Sequence, residues 1–206
     1  GTGGLITSLI ASSLGARVAL IERHRMGGDC LNVGCVPSKA LIAGAKGVHA
    51  AQVARGLGVA VAADDAGDFA AVMRRVREAR ARISHDDSAE RYAREFGIDV
   101  HFGEARFAGP GRVEVDGRVL EYAKAVVATG ARATAPPIPG LAEAGYLDNE
   151  TVFDLVERPA RLAIVGAGPI GCELAQAFRR LGSQVVLLEQ MDRILGREDA
   201  DAAAVV

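Results

Sequence analysis

At 206 residues the chain has room for one large domain or two small ones and for a sizeable core. Half of it is hydrophobic and 24% charged, and a net charge of −2 gives no field to steer nucleic acid or an anionic membrane surface. No apolar run is long enough to span a bilayer, and three cysteines are too few for a disulfide scaffold. The expectation is a protein of reducing cytoplasm, where a close cysteine pair points to redox catalysis or metal binding.

The chain opens on Gly1-Thr2-Gly3-Gly4, a glycine-rich turn, with a helix expected from about Gly3 to Leu14 and a strand from Arg17 to Glu22. After the cysteine-bearing stretch, long helices are expected over Val36 to Ala54 and over Phe69 to Phe96. The arginines from Arg74 to Arg82 read as a solvated face of the second helix. Residues Ile98 to Tyr122 alternate with period two, and Asp116-Gly117 marks a hairpin turn. Ala125 to Ala128 reads as a buried strand ending at Thr129-Gly130. The Pro-rich segment Ala135 to Gly140 reads as an extended crossover between domains. Arg161 to Val165 is then expected as a buried strand, followed by a glycine turn, an amphipathic helix through Arg180 and a second strand closing at Glu189. Asp199 to Val206 looks like the start of a helix without a stop signal. With Gly rather than Met at position 1, this suggests a piece of a longer protein, its first strand missing.

An internal repeat organises these elements. Leu14-Gly15-Ala16-Arg17-Val18-Ala19-Leu20-Ile21-Glu22 recurs toward the other end of the chain as Leu181-Gly182-Ser183-Gln184-Val185-Val186-Leu187-Leu188-Glu189. The second copy is a βαβ unit carrying G-x-G-x-x-G as Gly166, Gly168 and Gly171. In the first copy Gly1 and Gly4 stand where the second and third motif glycines belong. Both copies keep the same spacing from the last motif glycine to a strand-terminal acid, Gly4 to Glu22 and Gly171 to Glu189. Such glycines admit a pyrophosphate close to the backbone, the helix N-terminus offers free N–H groups, and the acid accepts from ribose hydroxyls. Two dinucleotide sites in one chain suggest a flavin adenine dinucleotide (FAD) and a nicotinamide partner.

Cys30 and Cys35 are five residues apart. A regular helix would rise about 7.5 Å over that interval and turn the side chains apart, so the sulfurs could bond only across an irregular turn. Asn32 and Gly34 are suitable residues for one, and a helix starting near Cys35 would favour a thiolate. Two inert thiols, or half of a zinc site lacking further ligands, are the other readings. Cys172 reads as a small packed core residue.

The run Cys30-Leu31-Asn32-Val33-Gly34-Cys35-Val36-Pro37-Ser38-Lys39 resembles the redox-active disulfide motif of the class I pyridine nucleotide-disulfide oxidoreductases. Gly28-Asp29-Cys30-Leu31 and Glu173-Leu-Ala-Gln-Ala-Phe178 look closest to the mercuric-reductase-like branch, with dihydrolipoamide dehydrogenase nearby. The resemblance implies an α/β fold with two Rossmann-like dinucleotide-binding domains. An FAD domain with a β-meander would occupy 1–145, and an inserted NAD(P) domain would begin over 146–206. It implies that Cys35 is the flavin-proximal sulfur, that Cys30 is the interchange thiol, and that Lys39 sits near the flavin and pairs with Glu173. Gly1, Gly4, Glu22, Gly28 and Asp29 would contact FAD together with Cys30, Lys39, Ala105, Thr129 and Gly130; Asp29 stands where a Thr is common. Gly166, Gly168, Pro169, Ile170, Gly171 and Glu189 would form the nicotinamide site, with Glu189 favouring NAD and Arg193 close enough in sequence to leave NADP open. No resident metal is implied. The substrate would be a small disulfide or dithiol, or a thiol-bound metal ion, and the whole protein a homodimer. The family's catalytic base comes from a partner subunit, so His24, His49, His85 and His101 are expected to be solvated or structural. The rival expectation is a non-catalytic nucleotide-binding remnant that purifies with little FAD.

Overall fold

A computed structural model describes residues 1–61 and 67–206 and shows an α/β fold. The described residues gather into two compact units, one of Gly1–Val36 with Glu78–Val152, the other of Pro37–Arg77 with Phe153–Val206.

Along the chain, α1 (Thr2–Ser13) leads to β1 (Ala19–Glu22), then α2 (Gly28–Asn32), α3 (Cys35–Gly56), α4 (Phe69–Ser84) and α5 (Ala89–Phe96). In the first unit β1 pairs in parallel with β2 (Asp99–Phe102), Ala19 opposite Asp99 and Glu22 opposite Phe102. Val18, Leu20, Ile98 and Val100 share one face through the two-residue period, and there they meet Leu5 of α1 and Tyr92 of α5. An antiparallel meander follows, β3 (Ala105–Phe107), β4 (Arg112–Val115) and β5 (Arg118–Glu121). Its hairpin turns on Asp116 and Gly117 at φ 46° and 77°, the positive pair that a two-residue type I′ turn requires. The unit also holds the short α6 (Leu141–Ala144).

In the second unit β6 (Arg161–Val165) and β7 (Gln184–Leu188) pair in parallel around α7 (Pro169–Arg180), and α8 (Ala200–Val205) follows. Helix α7 starts on the N-cap Gly168 with Pro169 at N1, where the missing N–H costs nothing. It buries Cys172, Ala175 and Phe178 as one stripe, and the Phe178 ring lies 6.1 Å from that of Phe69. Asp199 caps α8, its carboxylate accepting from the N–H groups of Asp201 and Ala202.

The repeat seen in sequence is also a repeat in structure. With the two copies aligned on their Leu-Gly pairs, the ends of α1 become the ends of α7, Thr2 onto Pro169 and Ser13 onto Arg180. Both helices stop in the same way. Gly15 N–H donates to Ser12 O and Ala16 N–H to Ala11 O, while Gly182 N–H donates to Arg179 O and Ser183 N–H to Phe178 O. These are paired Schellman bonds, and they need Gly15 and Gly182 at φ +83° and +91°. The repeated Leu-Gly is therefore a helix stop.

Three expectations are corrected. The single helix over 69–96 is two, because the Ser88 hydroxyl accepts from the Arg91 N–H at 3.2 Å and caps a new helix after His85-Asp86-Asp87. Residues 125–128 form no strand: no described strand bonds to them, and Val126 and Val127 are 67% and 68% exposed. Apolar, β-branched composition marks a potential strand, but a ladder needs a neighbour. Strand β6 is not buried on both faces; Leu162 and Ile164 are half-buried and the residues between are exposed. Among the described residues no helix is long and apolar enough to cross a membrane.

Candidate functional site

In the first unit the N-terminus of α1 meets the N-terminus of α2 without side chains between them. A Cβ on Gly28 would lie 2.3 Å from the Gly1 Cα, so glycine is required there for the approach. Gly3 and Gly4 face the Ala128 side chain, their Cβ positions 3.6 and 3.8 Å from its Cβ. Thr129 and Gly130, the latter at φ +71°, therefore continue from beside the same turn even though the expected strand is absent. Glu22 ends β1, and its carboxylate accepts from the His24 N–H at 2.8 Å and lies 3.5 Å from the Gly1 nitrogen. Arg132 reaches back to this corner, its guanidinium meeting the Glu150 carboxylate and lying 3.3 Å from His24 Nε2. Asp29 is exposed at the start of α2, and Ala105 is exposed on β3.

Cys30 lies within α2, and Cys35 is the first residue of α3. The helix breaks between them at Val33 and Gly34; a Cβ on Gly34 would stand 2.9 Å from the Asp29 carbonyl oxygen. The Asn32 side-chain amide donates to Met26 O at 3.0 Å and Gly28 O at 2.8 Å, tying the loop to its own entry. Across this break the two cysteine side chains hydrogen-bond to each other. That bond holds the Cys30 thiol above its ordinary pKa, with burial and the charge of the Cys35 sulfur acting the same way. The Thr2 hydroxyl and the Cys35 backbone N–H, each hydrogen-bonded to the Cys30 sulfur, pull it down. Sequence reasoning missed Thr2, whose donor role depends on the Gly1–Gly28 approach. Thr2→Val is expected to raise the Cys30 pKa further and Thr2→Ser to leave it in place. The pH profile of Cys30 alkylation reads both, and an unchanged profile in Thr2→Val would refute the contact.

Lys39 lies four residues beyond Cys35 on α3 and is exposed; Glu173 is exposed on α7, and no ion pair joins the two among the described residues. The arginine run is not wholly a solvated face. Arg80 is half-buried and its Nη1 donates to Asn32 O at 3.0 Å, because α4 runs past the cysteine loop. The helical period does mark it: Arg80 continues the buried series Phe69, Met73 and Val76 of α4, while Arg74, Arg75 and Arg82 are exposed.

The second glycine turn is tighter than the first. Gly166 sits at φ +101°, and a Cβ on Gly171 would stand 2.0 Å from the Gly166 carbonyl oxygen, so the helix starts in backbone contact with the turn. Pro169 and Ile170 are exposed above it. The Glu189 carboxylate accepts from the N–H groups of Ala167, Gln190 and Met191 at 2.7, 2.7 and 3.0 Å. These donors hold its pKa below the usual carboxylate range. The stabilisation is present above the unfolded-state pKa and is lost as pH falls through the depressed folded value. Glu189→Gln is thus expected to lower the melting temperature at neutral pH, with the difference closing on acidification. A difference independent of pH would show that the charge is not what the N–H groups hold. Cys172 is buried, donates to Ala167 O at 3.4 Å, and has its thiol pushed up by burial and by Glu189.

Neither α1 nor α7 has a side-chain cap on its N-terminal N–H groups. Uncapped helix starts beside closely approached glycines, each with a carboxylate at the end of the adjoining strand, fit the pyrophosphate and ribose of a dinucleotide. Among the described residues there is no group of three or more His, Cys, Asp or Glu side chains placed to hold a metal ion.

The sequence matches the family described as pyridine nucleotide-disulphide oxidoreductase over residues 1–206. A mercuric reductase of Bacillus cereus is 35% identical, the match covering 100% of this chain and 33% of the relative. A dihydrolipoyl dehydrogenase of Acholeplasma laidlawii is 31% identical, with 98% and 60% covered. The HOCl-induced flavoprotein disulfide reductase RclA from Escherichia coli superposes with a TM-score of 0.79 at 33% identity, covering 99% of this chain and 43% of that one. The chain thus spans about a third to three-fifths of the length of the relatives it matches.

Proposed function

Because the chain belongs to the pyridine nucleotide-disulphide oxidoreductase family, we propose that it carries the redox centre of an FAD-dependent NAD(P)H disulfide oxidoreductase. The observation that carries the proposal is the placement of Cys30 and Cys35, whose side chains interact, on either side of a helix break beside the first glycine turn. Residues 1–145 are assigned to FAD and 146–206 to the nicotinamide nucleotide.

FAD, when bound, would accept hydride from the nicotinamide and deliver two electrons to the Cys30–Cys35 bond. The chain's own residues prepare both partners. Gly1 and Gly28 clear the approach to the first turn, Glu22 accepts from ribose, and Lys39, Ala105, Thr129 and Gly130 complete the flavin contacts. Opening the bond leaves one proton and one negative charge on the pair. Cys35 is the sulfur proposed to lie on the flavin side, while its hydrogen bond to Cys30, together with burial, holds the Cys30 thiol above its ordinary pKa. Cys30 then gives up its proton as it attacks a disulfide sulfur of the substrate, or binds a thiol-held metal ion. Glu173 is the proposed partner of Lys39 once the centre is assembled.

At the second turn a 2′-phosphate would meet the Glu189 carboxylate. The Arg193 guanidinium is engaged by the carbonyls of Leu195, Gly196 and Glu198. Both facts favour NAD over NADP. A homodimer in a reducing compartment such as the cytoplasm, acting on a small disulfide, a dithiol or a metal ion, completes the reading.

The test is anaerobic reduction of the intact holoenzyme by NADH, one NADH and one proton giving one NAD and two new thiols. Mass mapping after alkylation is expected to place both thiols on Cys30 and Cys35. Thiols that appear only with added dithiothreitol, and never with NADH, would refute the proposal.

A further inference from the structure

We propose that Arg80 is a positioning residue for the cysteine pair, acting through Asn32, an inference that rests on the disulfide-reductase reading above. Helix α2 is five residues long, so its last carbonyls have little helix beyond them to supply donors. The Val33 N–H takes Asp29 O at 2.9 Å, and Arg80 Nη1 takes Asn32 O at 3.0 Å from a helix 48 residues further along the chain. A guanidinium suits that place twice over, as a charge-assisted donor and as a cation at the carbonyl end of a helix.

Asn32 is held at both ends by different partners. Its side chain bonds to Met26 O and Gly28 O, fixing the loop on the Cys30 side, while its carbonyl is anchored to α4. Cys35 follows three residues later, after a glycine whose close approach to Asp29 leaves no room for a Cβ. The segment between the sulfurs therefore has its route fixed by one side-chain amide, one glycine and one guanidinium. Of these, the guanidinium alone ties the segment to an element distant in sequence.

The consequence is thermodynamic. Bonding the two sulfurs restricts the intervening residues, and a loop already restricted loses less on closure. Without Arg80 the dithiol form gains freedom that the disulfide form cannot, so the equilibrium moves toward dithiol. The couple to measure is dithiol plus glutathione disulfide giving the Cys30–Cys35 bond plus two glutathione thiols, two electrons passing to glutathione.

The full chain is equilibrated anaerobically over a range of glutathione ratios, quenched and alkylated, and the Cys30–Cys35 peptide is weighed. Arg80→Met is expected to lower the oxidation equilibrium constant about three- to tenfold, on the net scale of one ordinary hydrogen bond, since only the difference between the two redox forms is read. Arg80→Lys and Arg80→Gln, which keep a donor, are expected to fall between Met and wild type. A wild-type constant in Arg80→Met overturns the inference, as do Lys and Gln variants that fall as far as Met. Should Arg80→Met fail to fold, Arg80→Lys and Arg80→Gln decide: constants lowered from wild type support the inference, and wild-type constants overturn it. Failure of the wild-type chain to form the bond at any ratio is a separate result, and it would remove the redox-pair reading along with this one.

Discussion

Replacing Gly171 by alanine is expected to destabilise the second unit by about 1–3 kcal/mol or more, on the scale of overpacked sites, and to abolish its nucleotide affinity. The added Cβ would stand 2.0 Å from the Gly166 carbonyl oxygen and 3.6 Å from Ile164 Cγ2. A backbone atom cannot swing aside as a side-chain tip can. The turn is itself pinned, Gly166 N–H donating to Leu188 O at 2.8 Å and Leu195 N–H to Ala167 O at 2.8 Å. Relieving the clash means moving either the turn or the start of α7, whose packed face carries Cys172, Ala175 and Phe178. Gly168→Ala is the internal control. Its φ of −72° suits any residue and nothing lies within 4 Å of its Cβ position, so thermal stability is expected to be retained. What Gly168→Ala should lose is the close approach of a pyrophosphate, read as a raised KM for the nicotinamide nucleotide. Thermal melts and nucleotide titrations on the two variants separate a packing glycine from an approach glycine. Equal melting temperatures would refute the distinction.

On the proposed function, serine at either cysteine is expected to reduce NADH-dependent disulfide reduction by on the order of a thousandfold, because one of the two sulfurs of the redox pair is gone. The two variants should nonetheless differ in spectrum. Cys30→Ser leaves the Cys35 sulfur free to carry the charge, and a long-wavelength charge-transfer absorption is expected in the anaerobically reduced holoenzyme. Cys35→Ser should lack it. The asymmetry follows from the proposed placement of Cys35, and not Cys30, on the flavin side. A Cys35→Ser enzyme that kept the absorption would reverse the two roles.

Much of the candidate site is legible in the linear order because its chemistry is local. The glycine turns, the acids Glu22 and Glu189 that follow them at one spacing and the Asp116-Gly117 hairpin each depend on residues within one short segment. The internal repeat is visible for the same reason, since both copies need the same helix stop ahead of a strand. The helix break between the cysteines is also open to inference, because Asn32 and Gly34 are poor interior helix residues. The cap at Ser88 is equally local, but the surrounding polar residues fit an exposed helix face as well as a turn.

Other features have no such signature. Residues 125–128 have the composition of a strand and no ladder, because pairing is a property of two segments. Arg80 falls on the helical period of Phe69, Met73 and Val76, but which group it meets there, Asn32 O, depends on where α4 passes. Thr2 meets Cys30 because two glycines let two helix ends touch. The sequence by itself determined where the backbone turns, which residues can approach a phosphate and which sulfurs are available, since torsional freedom and side-chain chemistry belong to each residue. Tertiary structure alone decided which groups hold the cysteine segment, Thr2 beside Cys30 and Arg80 on Asn32, because those contacts join atoms that are distant along the chain.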